Sequence, residues 1–169
     1  MVSAPAAAAS AQIVVDFADM KCSNNPGGRI TTSCLGSCVA VAIWDPEMHV
    51  GGVLQYMLPD SFLARDRALN NPFYFADTGI PLLFRKSYKL GADKSRLVTR
   101  LIGGADVLQP RDMLAIGARN QVAARTVLGK NGVQVRQEYL GGRHAMECTL
   151  FLEDGRVQVR LANGVEIDL

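Results

Sequence analysis

Four cysteines (Cys22, Cys34, Cys38, Cys148) and two histidines (His49, His144) are the side chains of this 169-residue sequence best suited to nucleophilic or metal chemistry. The cysteines show neither paired C-x-x-C spacing nor nearby histidines, so a zinc site is not expected. Cys34 and Cys38 would stand roughly 13 Å apart along an extended segment at ~3.3 Å per residue, too far for a disulfide. A reduced, cytoplasmic chain is the economical reading. Cys38 is the thiol whose setting suggests chemistry, because it sits at the mouth of the apolar run Val39-Ala40-Val41-Ala42-Ile43-Trp44. A thiolate there could attack a carbonyl carbon. A cysteine at the start of a buried strand is, however, more often an inert small hydrophobe. Its surroundings therefore decide.

Those surroundings read as a hairpin. Both alternating sets of the first run are apolar, as in a strand covered on two faces. Asp45-Pro46 supplies turn chemistry, since Asp caps its own backbone and Pro presets φ. The second run covers residues 50–57. A connection symmetric about the Pro46/Glu47 bond predicts that Cys38 faces Gln55, with Cβ atoms about 4.5–5.5 Å apart. His49 lies beside the turn, roughly 20 Å from Gln55 along an extended strand, which puts it out of reach. His144, in a Gly-led segment, is not placed by sequence.

The rest of the chain must hold this hairpin. With 49% apolar residues it can bury one core of ordinary size. Residues 1–11 read as a flexible Ala-rich leader, and residues 12–169 as a single domain. The formal net charge of +2, with basic residues scattered, gives no reason to expect nucleic acid or a membrane surface as partner. No run is long and apolar enough to cross a bilayer. Residues 12–20 are expected as a first strand, 24–28 as a loop and 60–72 as a polar, irregular, mobile loop near the site. A helix is predicted from Asp77-Thr78 to Gly91, with Ile80, Leu83, Phe84 and Tyr88 on one side. A strand over 96–102 runs into Gly103-Gly104, where no phosphate-binding pattern is present. A second helix is predicted over 117–128, closed by Gly129, with Arg119-Asn120 bracing the fold. Strands are expected over 133–135, 144–152 and 156–161. Two main helices among about seven strands argue for an α+β fold with mixed β-sheets.

A set of short motifs follows one order along the chain. They are Leu35-Gly36-Ser37-Cys38-Val39-Ala40-Val41, the Asp45-Pro46 turn, Gly51-Gly52, Met57-Leu58-Pro59-Asp60-Ser61, Tyr74-Phe75-Ala76-Asp77-Thr78, Ile102-Gly103-Gly104-Ala105 and Ile116-Gly117-Ala118-Arg119-Asn120. Together they resemble the chemoreceptor glutamine deamidase family, CheD, over residues 12 to 161. The resemblance implies a layered α/β sandwich similar to glutamine-deamidating toxin domains. It also implies an amidohydrolase that converts glutamines of methyl-accepting chemotaxis receptors to glutamates, and a CheC-like phosphatase as the partner such proteins often have. No cofactor or metal is implied. The family's site is a Cys-His-Thr constellation. By position, Cys38 is the nucleophile, Thr32 the orienting residue, and Gln55 stands where the family has its histidine. Gly36 and the main chain of Ser37 would border the oxyanion.

That exchange matters chemically. An imidazole stabilises a thiolate and protonates the departing nitrogen, whereas a carboxamide exchanges no proton near neutral pH. General acid–base help is typically worth ~10²–10⁴-fold, so impaired activity is expected. Two further readings stand beside a damaged or altered deamidase. One is a non-catalytic binding protein of the same fold, docking on receptors or a CheC-like phosphatase. The other, ranked far below, is an unrelated thiol hydrolase.

Overall fold

A computed structural model describes residues 11–107 and 114–169. The expected leader lies outside the described residues except for Ala11. Two five-stranded mixed sheets stack face to face, and two long helices cover the far side of the second. One sheet takes β1 (Gln12–Val15), β3 (Arg29–Thr32), β8 (Met146–Phe151), β9 (Val157–Leu161) and β10 (Glu166–Asp168), in that order. The other takes β2 (Asp19–Ser23), β5 (Val50–Tyr56), β4 (Val39–Asp45), β6 (Val98–Gly103) and β7 (Val135–Leu140). The covering helices are α2 (Ala76–Lys89) and α3 (Ile116–Lys130), and a short helix α1 (Arg65–Asn70) precedes them.

Strand β4 is central, and its alternation separates two cores. Ala40 and Ala42 face the other sheet, together with Cys38, Val53, Met146, Cys148 and Leu150. Val39, Val41 and Ile43 face the helices, against Leu54, Tyr56, Ile80, Leu83 and Leu128. Each branched aliphatic side chain so removed from water contributes ~1.5–3 kcal/mol. An apolar residue at every position, as the sequence has it, is what a strand buried on both faces requires. Gly51 and Gly52 serve the same close stacking from β5. A Cβ on Gly51 would run into Leu150 and Leu152 of the facing sheet, and one on Gly52 into Cys22 and Leu83.

Several boundaries differ from expectation. The predicted first strand is two strands, β1 and β2, because the chain turns at Phe17-Ala18, where Ala18 adopts φ +50°. Residues 60–72 are not an irregular loop. Asp60 accepts a hydrogen bond from the Phe62 N–H at 2.7 Å and opens a 3-10 turn over Ser61–Ala64, followed by α1 and a second turn over Pro72–Tyr74. Helix α3 runs through Gly129 to Lys130 and is capped at Asn131, with Gly132 at φ +64° just beyond. Strand β7 extends to Leu140, and the short β10 was not foreseen.

The hairpin register also requires correction. Asp45 pairs with Val50, which leaves Pro46 to His49 as a four-residue connection, and Gln55 pairs with Ala40 rather than with Cys38. Asp45 caps this turn as its type predicts, accepting from the N–H groups of Glu47 and Met48 at 2.9 and 3.2 Å. The reason for the shift is His49, which takes a left-handed φ of +49° and belongs to the turn.

Candidate active site

Cys38 lies just before β4, at the end of the hairpin away from the turn, and its side chain is buried. Position 55 still reaches it. A residue paired with Ala40 points to the same side of the sheet as Cys38 and is its diagonal neighbour, within reach of a long side chain. The Gln55 carboxamide lies on the Cys38 side and acts slightly in favour of its thiolate, and the Cys38 sulfur contacts the Met57 sulfur at 3.4 Å.

Three successive carbonyls ahead of and at the thiol are tied inward. The Gly36 carbonyl accepts from the Ala105 N–H at 2.8 Å, that of Ser37 from Asn120 Nδ2 at 2.9 Å, and that of Cys38 from the Gly104 N–H at 2.7 Å. With its carbonyls turned away, this bent segment directs the Cys38 N–H toward its own sulfur. Gly103, at φ +110°, is needed here, because a Cβ would strike the Cys38 carbonyl. Packing against the thiol loop is thus the role of Gly103-Gly104. Asn120 deepens the brace. Its Nδ2 also donates to the Met57 carbonyl at 2.9 Å, while its own carbonyl accepts from the Tyr56 hydroxyl at 2.6 Å.

The hydroxyl on Gln55 is that of Ser33, which donates to Oε1 at 3.1 Å, and Nε2 points to the Cys34 carbonyl at 3.4 Å. The Thr32 hydroxyl turns the other way and accepts from the Cys148 N–H at 3.0 Å. Thr32 shares the buried side of β3 with Ile30 but its hydroxyl is taken by the Cys148 N–H, whereas Ser33 lies in the bend just after β3 and reaches position 55. Ser33 was missed from sequence, and its signal was only its place one residue after Thr32.

Burial pushes the Cys38 thiol above its ordinary pKa, and the nearby Cys34 thiol adds to this, against smaller opposing effects of its own N–H and of Gln55. The chain bends at Ser33, Gly36 and Ser37, so the extended-chain separation does not describe the two thiols, both of which are free. His49 is held at the turn with Nδ1 3.1 Å from the Leu152 carbonyl, and His144 is exposed between β7 and β8. Beside the thiol loop, a cleft of about 470 Å³ is lined by Gly36, Ser37, Ala105, Asp106 and the start of α3. Among the described residues no three His, Cys, Asp or Glu side chains converge as metal ligands would.

These features define a class of protein, a β/β/α layered domain with a buried thiol whose braced main chain, at Gly36 and Ser37, borders a cleft. The family model described as CheD chemotactic sensory transduction matches residues 57–161. A probable chemoreceptor glutamine deamidase CheD 1 of Syntrophus aciditrophicus is 43% identical over 152 residues, covering 90% of this chain and 95% of that protein. A probable chemoreceptor glutamine deamidase CheD of Solibacter usitatus is 38% identical, over 94% and 93% of the two chains, and CheD 2 of Anaeromyxobacter dehalogenans is 40% identical, over 90% and 96%. The chain belongs to the CheD family, a family of glutamine deamidases. Among the described residues no helix is long and apolar enough to cross a membrane.

Proposed function

We propose that this protein is a receptor glutamine deamidase in which Cys38 is the nucleophile and Gln55 occupies the place of the histidine. A receptor glutamine enters the cleft beside Gly36 and Ser37, and its carboxamide carbon meets the thiolate. The tetrahedral oxyanion takes hydrogen bonds from main-chain N–H groups at Ser37 and Cys38, ammonia leaves, and water hydrolyses the thioester to glutamate. The observation that carries this reading is the set of three pinned carbonyls around Cys38, which leaves the N–H side of the segment toward the sulfur. Such an investment in main-chain placement is unnecessary for a thiol that only fills space. The substrate places the activity in the cytoplasm, where receptor signalling domains lie, and a CheC-like phosphatase is a candidate partner.

The missing proton donor sets the rate. With Gln55 in place and the thiol largely protonated, deamidation is slow. Gln55→His should raise ammonia release from a receptor cytoplasmic fragment by about 10²–10⁴-fold, and Cys38→Ala should abolish it. Equal rates for Gln55→His and for parent chain whose residue 55 is shown by mass to be still glutamine would remove the claim that position 55 limits catalysis. The depressed ionisation of Cys38 also favours a second reading, a non-catalytic protein that docks on receptors or on a CheC-like phosphatase. That reading is correct if Gln55→His stays inert while binding to the receptor fragment survives.

A further inference from the structure

A nucleophilic thiol beside a fixed glutamine has a substrate before any receptor arrives. We propose that Gln55 is itself deamidated by Cys38, through an internal Cys38–Gln55 thioester that water opens to leave a glutamate at position 55. This rests on the reading of Cys38 as a nucleophile.

The two side chains share the inner face of the second sheet. Gln55 is fully buried and Cys38 is 5% exposed, so the glutamine is held in place while Cys38 keeps a narrow opening to solvent. Gln55 carries the same kind of help that an attacked substrate needs. The Ser33 hydroxyl donates to Oε1, the atom that becomes the oxyanion, and such a bond strengthens as charge develops. Permanent proximity on one face of the sheet works against the poor ionisation of the thiol, because an intramolecular attack needs no encounter step. A receptor glutamine has no such advantage until it is bound.

The chemistry balances without any oxidant or reductant. The thiolate lone pair forms the S–Cδ bond and the carbonyl π pair moves to Oε1. Collapse of the adduct breaks Cδ–Nε2, and the nitrogen departs as ammonia with the proton the thiol gave up. One water then cleaves the thioester, restoring the thiol and leaving a carboxyl group.

The product has a consequence for the site. The new oxygen replaces Nε2, a donor that now faces the Cys34 carbonyl. An oxygen can face a carbonyl favourably only as O–H, so this neighbour, like burial, holds the carboxyl protonated above the usual carboxylate range. A carboxylic acid that keeps its proton can pass it to departing ammonia, the step a carboxamide cannot perform. Self-conversion thus supplies the proton donor that the sequence lacks.

Freshly prepared full-length protein held at about pH 8.5, where a free thiol is half ionised, tests this by mass spectrometry. Residue 55 should convert from glutamine to glutamate at least about 10²-fold faster than in Cys38→Ala. The new carboxyl should take up label from heavy-oxygen water, and methylamine in place of water should leave an N-methylamide at residue 55, which reports the thioester. The proposal is overturned if residue 55 stays a glutamine while iodoacetamide still alkylates Cys38, or if conversion is as fast in Cys38→Ala. The receptor assay separates the two claims. Activity of Gln55→His on the receptor, with no conversion of residue 55 in the parent chain, removes the self-reaction and leaves the deamidase reading. Conversion in the parent, with Gln55→His inert on the receptor, keeps the self-reaction and removes the other.

Discussion

Asn120 Nδ2 lies 2.9 Å from the Ser37 carbonyl oxygen, so a side chain of helix α3 fixes the peptide immediately ahead of Cys38. The same nitrogen holds the Met57 carbonyl, whose residue carries the sulfur against which the thiol rests. Aiming the amide this way leaves Asn120 Oδ1 buried without a hydrogen bond, a cost the fold accepts at this position.

Replacing that amide should therefore disturb both stability and the thiol. Asn120→Ala removes the donor from two part-buried carbonyls and should cost about 1–3 kcal/mol in urea unfolding. The rate and pH profile of Cys38 alkylation should shift as well, whereas a similarly destabilising core truncation such as Leu128→Ala should leave that profile alone. If the two variants match in both measurements, Asn120 is a packing residue only.

Thr32 and Ser33 should separate cleanly. Thr32→Val is nearly isosteric but removes the acceptor of the buried Cys148 N–H, and about 1–3 kcal/mol of stability should go with it, while Thr32→Ser keeps the bond. Ser33→Ala should cost little stability, because Ser33 is only partly buried, yet it should change Cys38 alkylation through Gln55. A Cys38 profile altered by Thr32→Val, kept by Thr32→Ser and untouched by Ser33→Ala would show that Thr32, after all, is the group that orients position 55.

The thiol itself should titrate late. Burial raises the Cys38 pKa, so its alkylation rate should climb to a midpoint above the ~8.5 of a free thiol. Cys34→Ser should move the midpoint down, because the Cys34 thiol contributes to the rise. A midpoint below neutrality in the parent chain would mean that some group other than Gln55 activates the sulfur.

Acid stability should depend on Asp45. Burial alone would raise its pKa, but bonds from Arg96 and from the N–H groups of Asp93, Met48 and Glu47 outweigh it and hold the carboxyl down to about 2. A carboxyl depressed in the folded state stabilises it fully above its unfolded pKa of ~3.9 and loses that effect as pH falls toward the folded value. The contribution is on the order of 2 kcal/mol, lost between about pH 4 and pH 2. Urea midpoints measured over that window should fall more steeply for the parent than for Asp45→Asn, and parallel slopes would refute this.

The sequence by itself determined the central hairpin, the α+β class and the family. Short-range chemistry governs these features: the Asp45-Pro46 turn, the two-sided apolar run of β4 and the Ile80, Leu83, Phe84 stripe of α2 each follow from neighbouring residues. The ordered motifs likewise pointed to the family that the full-length relatives establish. Only the tertiary structure decided how the site is assembled. The register of β4 against β5 hung on whether His49 belongs to the turn or the strand, a difference of backbone φ that composition does not encode. Ser33 rather than Thr32 meets Gln55 because the chain bends just after β3 and the Thr32 hydroxyl already accepts from the Cys148 N–H of the neighbouring strand. Residues 103, 104, 105 and 120 are distant from Cys38 in the chain, and they meet its loop because β6 pairs with β4 and α3 packs over the same strand. Such contacts are set by stacking of layers, whose partners lie tens of residues away, and no local pattern carries them.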